Sequence, residues 1–234
     1  MKLEKLIEVC FLFLLAALSA QAQGTFQNLN FEQANPISVF DPADPYLVTV
    51  ASALPFWSVY YGNVQQTEMI YNGVSTGATA VTLVGSGDQY AAPIDGKYSV
   101  LIQGIVPGTT ASISQTGLVP SGTQSLLFEA ADPLTAVQGP LEVYLGTQTI
   151  PFFAVGTGPN YTLYGANISA WAGQTEELTF LAPGGTYNNW EIDEITFSPN
   201  PVPEPSTLAL MLAAVGAYGV RRWRAKESVK VAKR

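Results

Sequence analysis

Residues 23–200 are dominated by short stretches in which apolar and polar side chains alternate, as they do on the two faces of a β-strand. Leu141, Val143 and Leu145 occupy alternate positions of one such stretch. Turn-forming pairs such as Asn72-Gly73 separate the stretches. No window of the segment shows a clear helical period with capping residues. The pattern therefore predicts an all-β domain.

The spacing of the strands predicts a two-sheet antiparallel β-sandwich over residues 23–199. The predicted strands are 25–31, 56–61, 66–71, 79–84, 97–103, 110–116, 124–130, 140–146, 148–155, 160–168, 176–182 and 190–198. The proline-containing stretch 34–55 is predicted to be a long loop. We expect this sandwich to be flanked by an N-terminal signal helix and a short C-terminal hydrophobic helix.

The charge of the central segment is strongly acidic. Lys97 is the only basic residue between positions 23 and 200, and all but four of the 18 acidic residues of the chain lie in that segment. The segment therefore carries 14 carboxylates and a net charge of −13. Such a surface repels phosphate backbones, and this excludes nucleic acid as a partner.

The chain contains no histidine, and its single cysteine is Cys10. The mature chain therefore cannot contain a catalytic triad that uses histidine, a cysteine-based zinc site or a disulfide bond.

The N-terminus has the three parts of a secretory signal peptide. Two lysines lie within the first five residues, the apolar run Cys10–Leu18 follows, and Ala20-Gln21-Ala22 has the small-residue pattern of a cleavage site. We predict a signal peptide over residues 1–22, with cleavage after Ala22. Export is therefore expected, and cleavage would remove Cys10.

The C-terminus carries a second apolar run. A proline-rich linker, residues 200–207, precedes the hydrophobic segment Leu208–Val220, and a basic tail occupies residues 221–234. Thirteen helical residues span about 20 Å at ~1.5 Å per residue, short of a hydrocarbon core of ~30 Å. The arginines would keep the tail cytoplasmic. This arrangement favours a transient retention signal over a durable anchor.

These C-terminal elements resemble the PEP-CTERM sorting signal of Gram-negative, exopolysaccharide-producing bacteria. The signal combines a short proline-containing triplet, an apolar helix and an arginine cluster. The corresponding residues here are Pro203, Glu204, Pro205, Arg221, Arg222 and Arg224. The resemblance implies recognition by an exosortase while the chain lies transiently in the inner membrane, followed by transfer to the outer surface or extracellular matrix. A simple C-terminal membrane anchor is the alternative.

Four phrases of the central segment resemble the galactose-binding-like jelly roll of bacterial carbohydrate-binding modules. They are Asn28–Glu32, Leu54–Val59, Ser112–Thr116 and Trp190–Ile195, and they occur in the order that the family shows. The resemblance implies a jelly-roll sandwich and gives Trp57 a packing role. The fold hosts lectins, adhesins and structural spacers, so it does not by itself fix the function.

Sugar binding requires aromatic platforms surrounded by amide and carboxylate groups. The cluster that follows the Pro-Gly-Gly turn is the best loop candidate, and one further tryptophan is available. The candidate ligand-binding residues are Trp171, Tyr187, Asn188, Asn189 and Trp190. We therefore predict polysaccharide binding, with a purely structural spacer as the alternative.

The acidic pairs Glu176-Glu177 and Asp193-Glu194 do not suggest a catalytic site. Adjacent residues of a strand point to opposite faces, so neither pair can act as a dyad by itself. We predict a protein that is not an enzyme, and a cryptic glycoside hydrolase is the second alternative.

The apolar residues of the final predicted strand shift from even to odd positions along its length. Trp190 and Ile192 are apolar at even positions, whereas Ile195 and Phe197 are apolar at odd positions. One face of a regular strand cannot hold both sets. The sequence therefore predicts a bulge or twist near Asp193-Glu194.

A structural calcium ion is a further expectation. A carboxylate near the core needs neutralisation, basic partners are nearly absent, and calcium favours carboxylate and carbonyl oxygens. The jelly-roll resemblance implies a calcium ion between the first and last strands, with ligands at Glu32 and Asp193 and with Glu194 as a substitute. The alternative is that these acids face solvent at the end of a strand.

Overall fold

The computed structural model describes residues 24–74, 77–134, 139–185 and 188–202. The boundary between two units of the chain falls after Asn200. The predicted signal peptide, Tyr187, and the sorting residues from Pro203 to Arg224, with the hydrophobic segment between them, lie outside the described residues.

The larger sheet has eight strands in the spatial order β1-β4-β5-β6-β14-β8-β12-β11. These strands are β1 (Leu47–Thr49), β4 (Glu68–Tyr71), β5 (Ala80–Gly85), β6 (Tyr98–Gly104), β8 (Ser125–Ala131), β11 (Phe152–Thr157), β12 (Thr162–Asn167) and β14 (Asn188–Ser198). Its pairs are antiparallel except for β4 and β5, which run parallel.

The smaller sheet has six strands in the order β10-β9-β13-β7-β2-β3, and all of its pairs are antiparallel. These strands are β2 (Ser58–Tyr61), β3 (Val64–Gln66), β7 (Ala111–Leu118), β9 (Glu142–Leu145), β10 (Gln148–Thr149) and β13 (Thr175–Ala182).

From β6 to β9 the chain alternates between the two sheets at every strand, and it does so again from β12 to β14. Such crossings between two packed sheets are typical of a jelly roll. Within the described ranges, the only helical elements are α1 (Val50–Ala53) and a 3₁₀ turn, Ser169–Trp171. The predicted all-β sandwich is therefore confirmed.

The strand predicted over residues 25–31 is wrong. Asn28 and Phe31 have φ angles of 51° and 56°, which break the extended conformation. Thr25 makes a single isolated bridge to Leu118. Phe31 of this segment is fully buried in the main core. The predicted loop 34–55 is also only partly correct, because it contains β1 and α1.

The main core lies between the two sheets. Phe128 of the larger sheet and Phe180 of the smaller sheet are fully buried, with ring centroids 5.2 Å apart in an edge-to-face arrangement. Trp57 is also buried, and its indole N–H donates a hydrogen bond to the Asn28 carbonyl. The predicted packing role of Trp57 is therefore confirmed.

A second apolar cluster includes alternate residues of the larger sheet. On β6, Val100 and Ile102 belong to the main core, whereas Leu101 between them belongs to the second cluster. Val84 of β5 and Val74 of the preceding loop pack with Leu101. Connecting loops therefore bury part of this face and, with it, several polar side chains.

Candidate functional site

The bulge that the sequence predicts in the final strand is present. The register between β14 and β8 shifts between Asp193 and Thr196, and Glu194 has a φ of 46°. This extra residue lets Ile192 and Ile195 both enter the core despite their different parity. The prediction from side-chain parity is therefore confirmed.

The bulge brings Asp193 next to a turn that also contacts Glu32. The backbone N–H of Asp95 donates to Oδ2 of Asp193 at 3.2 Å. The N–H groups of Lys97 and Tyr98 donate to Oε1 of Glu32, at 2.6 and 3.0 Å. Glu32 and Asp193 therefore hold the same turn from two elements that are distant in sequence.

The carboxyl group of Asp193 is almost completely buried. Burial raises its pKa to about 8, and the negative charges of Glu194 and Glu129 act in the same direction. Hydrogen bonds from the N–H groups of Glu194 and Asp95 oppose this rise in pKa. Burial dominates, so the pKa favours a neutral carboxyl group near pH 7 when no cation is present.

Further acids surround this position. Glu129 is the direct cross-strand neighbour of Asp193, and its buried Oε2 atom has no hydrogen-bond partner among the residues that the structure describes. The pKa of Glu194 is raised, first by burial and then by Asp95, Glu129 and Glu32. Across the parts of the chain that the structure describes, no three acidic side chains are placed closely enough to form a metal-binding group.

The sugar-binding cluster expected after the Pro-Gly-Gly turn is not an exposed loop. Asn188, Asn189 and Trp190 belong to β14 and are buried. The Asn188 side-chain amide donates to the Pro140 carbonyl at 2.6 Å, and Asn189 accepts from the Gln103 amide at 3.0 Å. The loop placement predicted for Asn188 and Asn189 is therefore wrong.

Trp190 is held from several sides. Its indole N–H donates to the Gly139 carbonyl and to the Asn188 side chain, both at 3.0 Å. The rings of Tyr164 and Phe152 pack edge-on against it, with centroids 5.7 and 6.4 Å away. Trp190 is only 6% exposed, which leaves too little aromatic surface for a sugar ring to stack on.

Trp171 has a different environment. It ends the 3₁₀ turn and is only half-buried, with its inner part packed against the main core. It therefore keeps some exposed aromatic surface. Tyr187, the remaining candidate, lies outside the described residues.

Glu191 is a buried acid that the sequence did not mark as a candidate. It lies on β14, where it accepts a hydrogen bond from the Ser99 hydroxyl. Burial raises its pKa to about 7, and the charge of Asp88 adds to the rise, whereas the Ser99 hydrogen bond lowers it. Its position between polar Asn189 and Asp193 gave no signal, because strand parity alone does not show which loops cover a face.

An open cleft lies at one end of the larger sheet and was also missed. It is lined by Tyr46, Asn72, Gly73, Val74, Gly87 and Gln89, and we name it the tyrosine cleft. It has a volume of about 180 Å³. Tyr46, which lies just before β1, was not a candidate because residues 34–55 were predicted to be a long loop. Only the Asn72-Gly73 turn was evident from the sequence.

No helix among the residues of known placement is both long enough and apolar enough to span a bilayer.

Solved structures with related folds are only distantly similar. The TmCBM61 module in complex with β-1,4-galactotriose shares 16% identity, covering 74% of this chain and 96% of that chain, with a TM-score of 0.35. The family 11 carbohydrate-binding module of Clostridium thermocellum in complex with a mixed-linked tetrasaccharide shares 8% identity over 64% of this chain and 92% of that chain, with a TM-score of 0.33.

The active domain of bacteriophage CBA120 tailspike protein 4 shares 13% identity over 68% of this chain, with a TM-score of 0.36. This chain spans only 21% of that structure. A search of curated proteins finds no relative that matches the sequence.

The C-terminal region matches a family model. Residues 201–225 match the PEP-CTERM protein-sorting motif, which includes the Pro203-Glu204-Pro205 triplet and the arginine cluster from Arg221 to Arg224. The chain therefore combines an all-β sandwich with a PEP-CTERM sorting motif.

Proposed function

We propose that this protein is displayed at the cell surface or in the exopolysaccharide matrix, where its sandwich binds polysaccharide without catalysing a reaction. The observation that carries the proposal is the sorting motif at residues 201–225, which indicates an exported protein of the cell envelope. The signal resembles that of exopolysaccharide-producing bacteria. Polysaccharide is therefore the polymer that the sandwich meets at its destination.

The same motif supports a route to the surface. The signal peptide over residues 1–22 directs export, and the segment Leu208–Val220 holds the chain transiently in the inner membrane. An exosortase then removes the C-terminal segment. The arginines at 221, 222 and 224 stop translocation at the cytoplasmic face.

Mixed aromatic and amide surface supports sugar binding. The tyrosine cleft combines an aromatic ring with two side-chain amides, and Trp171 offers a second partly exposed ring. Such surfaces suit a sugar, which has apolar C–H faces and a polar rim of hydroxyls.

The burial of Asn188, Asn189 and Trp190 favours a second candidate function, a structural spacer without a sugar site. The protein remains non-enzymatic in both proposals. A glycoside hydrolase needs two carboxylates that flank an open cleft, whereas Glu191 and Asp193 are buried under loops.

A structural calcium ion belongs to this proposal. Glu32 and Asp193 flank one turn, and within the described part of the chain the buried Oε2 atom of Glu129 has no hydrogen-bond partner. Because the described acids form no group of three, an ion there would complete its coordination with backbone carbonyl oxygens, which calcium accepts. The ion would neutralise acids for which the body offers only Lys97 as a base.

Retention of the purified full chain on the exopolysaccharide of its own producer tests the proposal. We expect retention that free polysaccharide competes away. The absence of retention would favour the spacer, and release of reducing sugar would identify a hydrolase. Trp171→Ala measures how much that exposed ring contributes to retention.

A further inference from the structure

We propose that the tyrosine cleft binds one neutral hexopyranose unit of a glycan chain. This inference rests on the proposed polysaccharide-binding function and names the site and the class of sugar. It places recognition near Tyr46, away from the cluster around Trp190 that the sequence favoured.

The ring of Tyr46 is fixed before any ligand binds. A Cβ atom on Gly73 would lie 2.5 Å from Cγ of Tyr46, so the ring rests directly on the glycine backbone. The N–H of Tyr71 donates to the Tyr46 carbonyl at 2.9 Å and ties the residue to β4. The side chain is nevertheless 51% exposed. A ring that is held in place and half open loses little entropy when a sugar stacks on it.

Amide groups line the polar side of the cleft. Asn72 has a φ of 52°, and its Oδ1 atom accepts a hydrogen bond from the Gly85 N–H at 2.7 Å. This bond and a hydrogen bond with the Tyr71 hydroxyl orient the side chain, and Nδ2 lies 2.9 Å from the position of a Cβ on Gly87. Gln89 adds a second, exposed amide. Amide groups both donate to and accept from sugar hydroxyls.

Asp88 joins the two walls of the cleft. Its Oδ2 accepts from the Val74 N–H at 3.2 Å on one wall. Its Oδ1 accepts from the N–H groups of Tyr90 and Ala91, at 2.8 and 3.1 Å, and so fixes the segment that carries Gly87 and Gln89 on the other wall. These bonds make the cleft a preorganised site.

The volume of the cleft fits one sugar ring. A volume of about 180 Å³ corresponds to roughly six water molecules at ~30 Å³ each. A single pyranose ring is of this size, whereas a longer oligosaccharide would extend beyond the cleft along the surface.

Charge selects a neutral sugar. None of the residues that line the cleft is basic, and Lys97 is the only base between positions 23 and 200, against 14 carboxylates. A uronic acid or a sulfated sugar would meet a repulsive field and no basic partner. A neutral hexose avoids both costs.

Affinity electrophoresis of the full chain in gels that contain mixed-linkage β-glucan, β-1,4-galactan or alginate tests the inference. We expect retardation by a neutral glycan and none by alginate. Tyr46→Ala should weaken the binding about tenfold, since the loss of one stacked ring is worth about that factor. Gly73→Ala, which forces the ring off its support, and Gln89→Ala should also weaken binding.

Tyr90→Ala is the matched control, because Tyr90 has the same 51% exposure next to the cleft but does not line it. It should bind like the wild-type chain, and thermal melting verifies that all variants are folded. Retardation of the folded Tyr46→Ala, Gly73→Ala and Gln89→Ala variants equal to wild type would overturn the cleft and leave the proposed function standing. Retardation by alginate alone would overturn the neutral class. No retardation of the wild-type chain by either neutral glycan would overturn the cleft proposal, whereas the absence of retention on the producer's own exopolysaccharide would overturn the proposed function.

Discussion

The backbone N–H of Asp95 donates a hydrogen bond to the Asp193 carboxylate, although the two residues are 98 positions apart in sequence. Glu32 accepts two further backbone bonds from the same turn. The first segment of the sandwich, a central turn and the last strand are thereby joined through buried or partly buried carboxylates.

We predict that millimolar calcium raises the melting temperature of the full chain, because a ligand that binds the folded state alone stabilises it. Asp193→Asn should abolish most of this gain, since it removes the charge but keeps an oxygen that can accept from Asp95. Glu68→Gln, at an exposed position on β4, is the control and should respond like wild type. Identical melting curves in calcium and in chelator would contradict the proposed calcium site.

The pKa of Glu191 predicts a pH dependence of stability in the presence of chelator. Its pKa is raised from 4.5 to about 7 in the folded state, so the folded chain binds this proton more tightly. The associated stability is fully present below the unfolded pKa and is lost as the pH rises through about 7. The loss is about 3 kcal/mol on the scale of 1.36 kcal/mol per pKa unit.

Glu191→Gln should reduce this slope, because its amide does not ionise. The free energy of unfolding in denaturant, measured from pH 5 to pH 9, checks the prediction. Asp193, whose pKa is raised to about 8, should leave a residual decline of the same sign in the variant. An equal slope for wild type and variant would contradict the assignment to Glu191.

The aromatic centre of the core should dominate stability. Phe128 contacts the rings of Phe180, Tyr164 and Phe152 and is fully buried. Phe128→Ala should therefore cost about 3–5 kcal/mol in the free energy of unfolding. Phe40→Ala is the matched control: Phe40 is 93% exposed, and its loss should change stability by about 0.5 kcal/mol or less. Comparable losses would contradict the described core.

Gly184 should not tolerate a side chain. A Cβ there would lie 2.2 Å from the Thr109 carbonyl oxygen and 2.3 Å from that of Val106, and neither backbone group can move without disturbing its turn. We expect Gly184→Ala to lower the melting temperature clearly. Gly77→Ala, where the added carbon meets no atom of the described residues within 4 Å, should be close to neutral. Equal melting temperatures for the two variants would show that the turn is packed differently.

Local patterns predicted the features that depend on strand parity. The apolar positions of β14 required a bulge at Asp193-Glu194, and the structure contains it. Residues 28–31 also alternate, but left-handed φ angles at Asn28 and Phe31 exclude a strand, and a sequence pattern does not reveal them.

The burial of Asn188 and Trp190 by distant loops could not be predicted from a local sequence pattern either. The amide of Asn188 reaches Pro140 and the indole of Trp190 reaches Gly139, contacts across about fifty positions that no local pattern encodes. Tyr46 became a candidate only through its contact with Gly73, which lies on a separate turn.

The proposed function requires that the sorting motif directs this sandwich protein to the cell surface by proteolytic processing. Mass spectrometry of the C-terminus of the native, surface-exposed protein tests it most directly. The account predicts a mature chain that lacks Leu208–Arg234, and retention of the Pro203→Ala, Pro205→Ala double variant in the inner membrane. A surface-exposed protein that ends at Arg234 would contradict it.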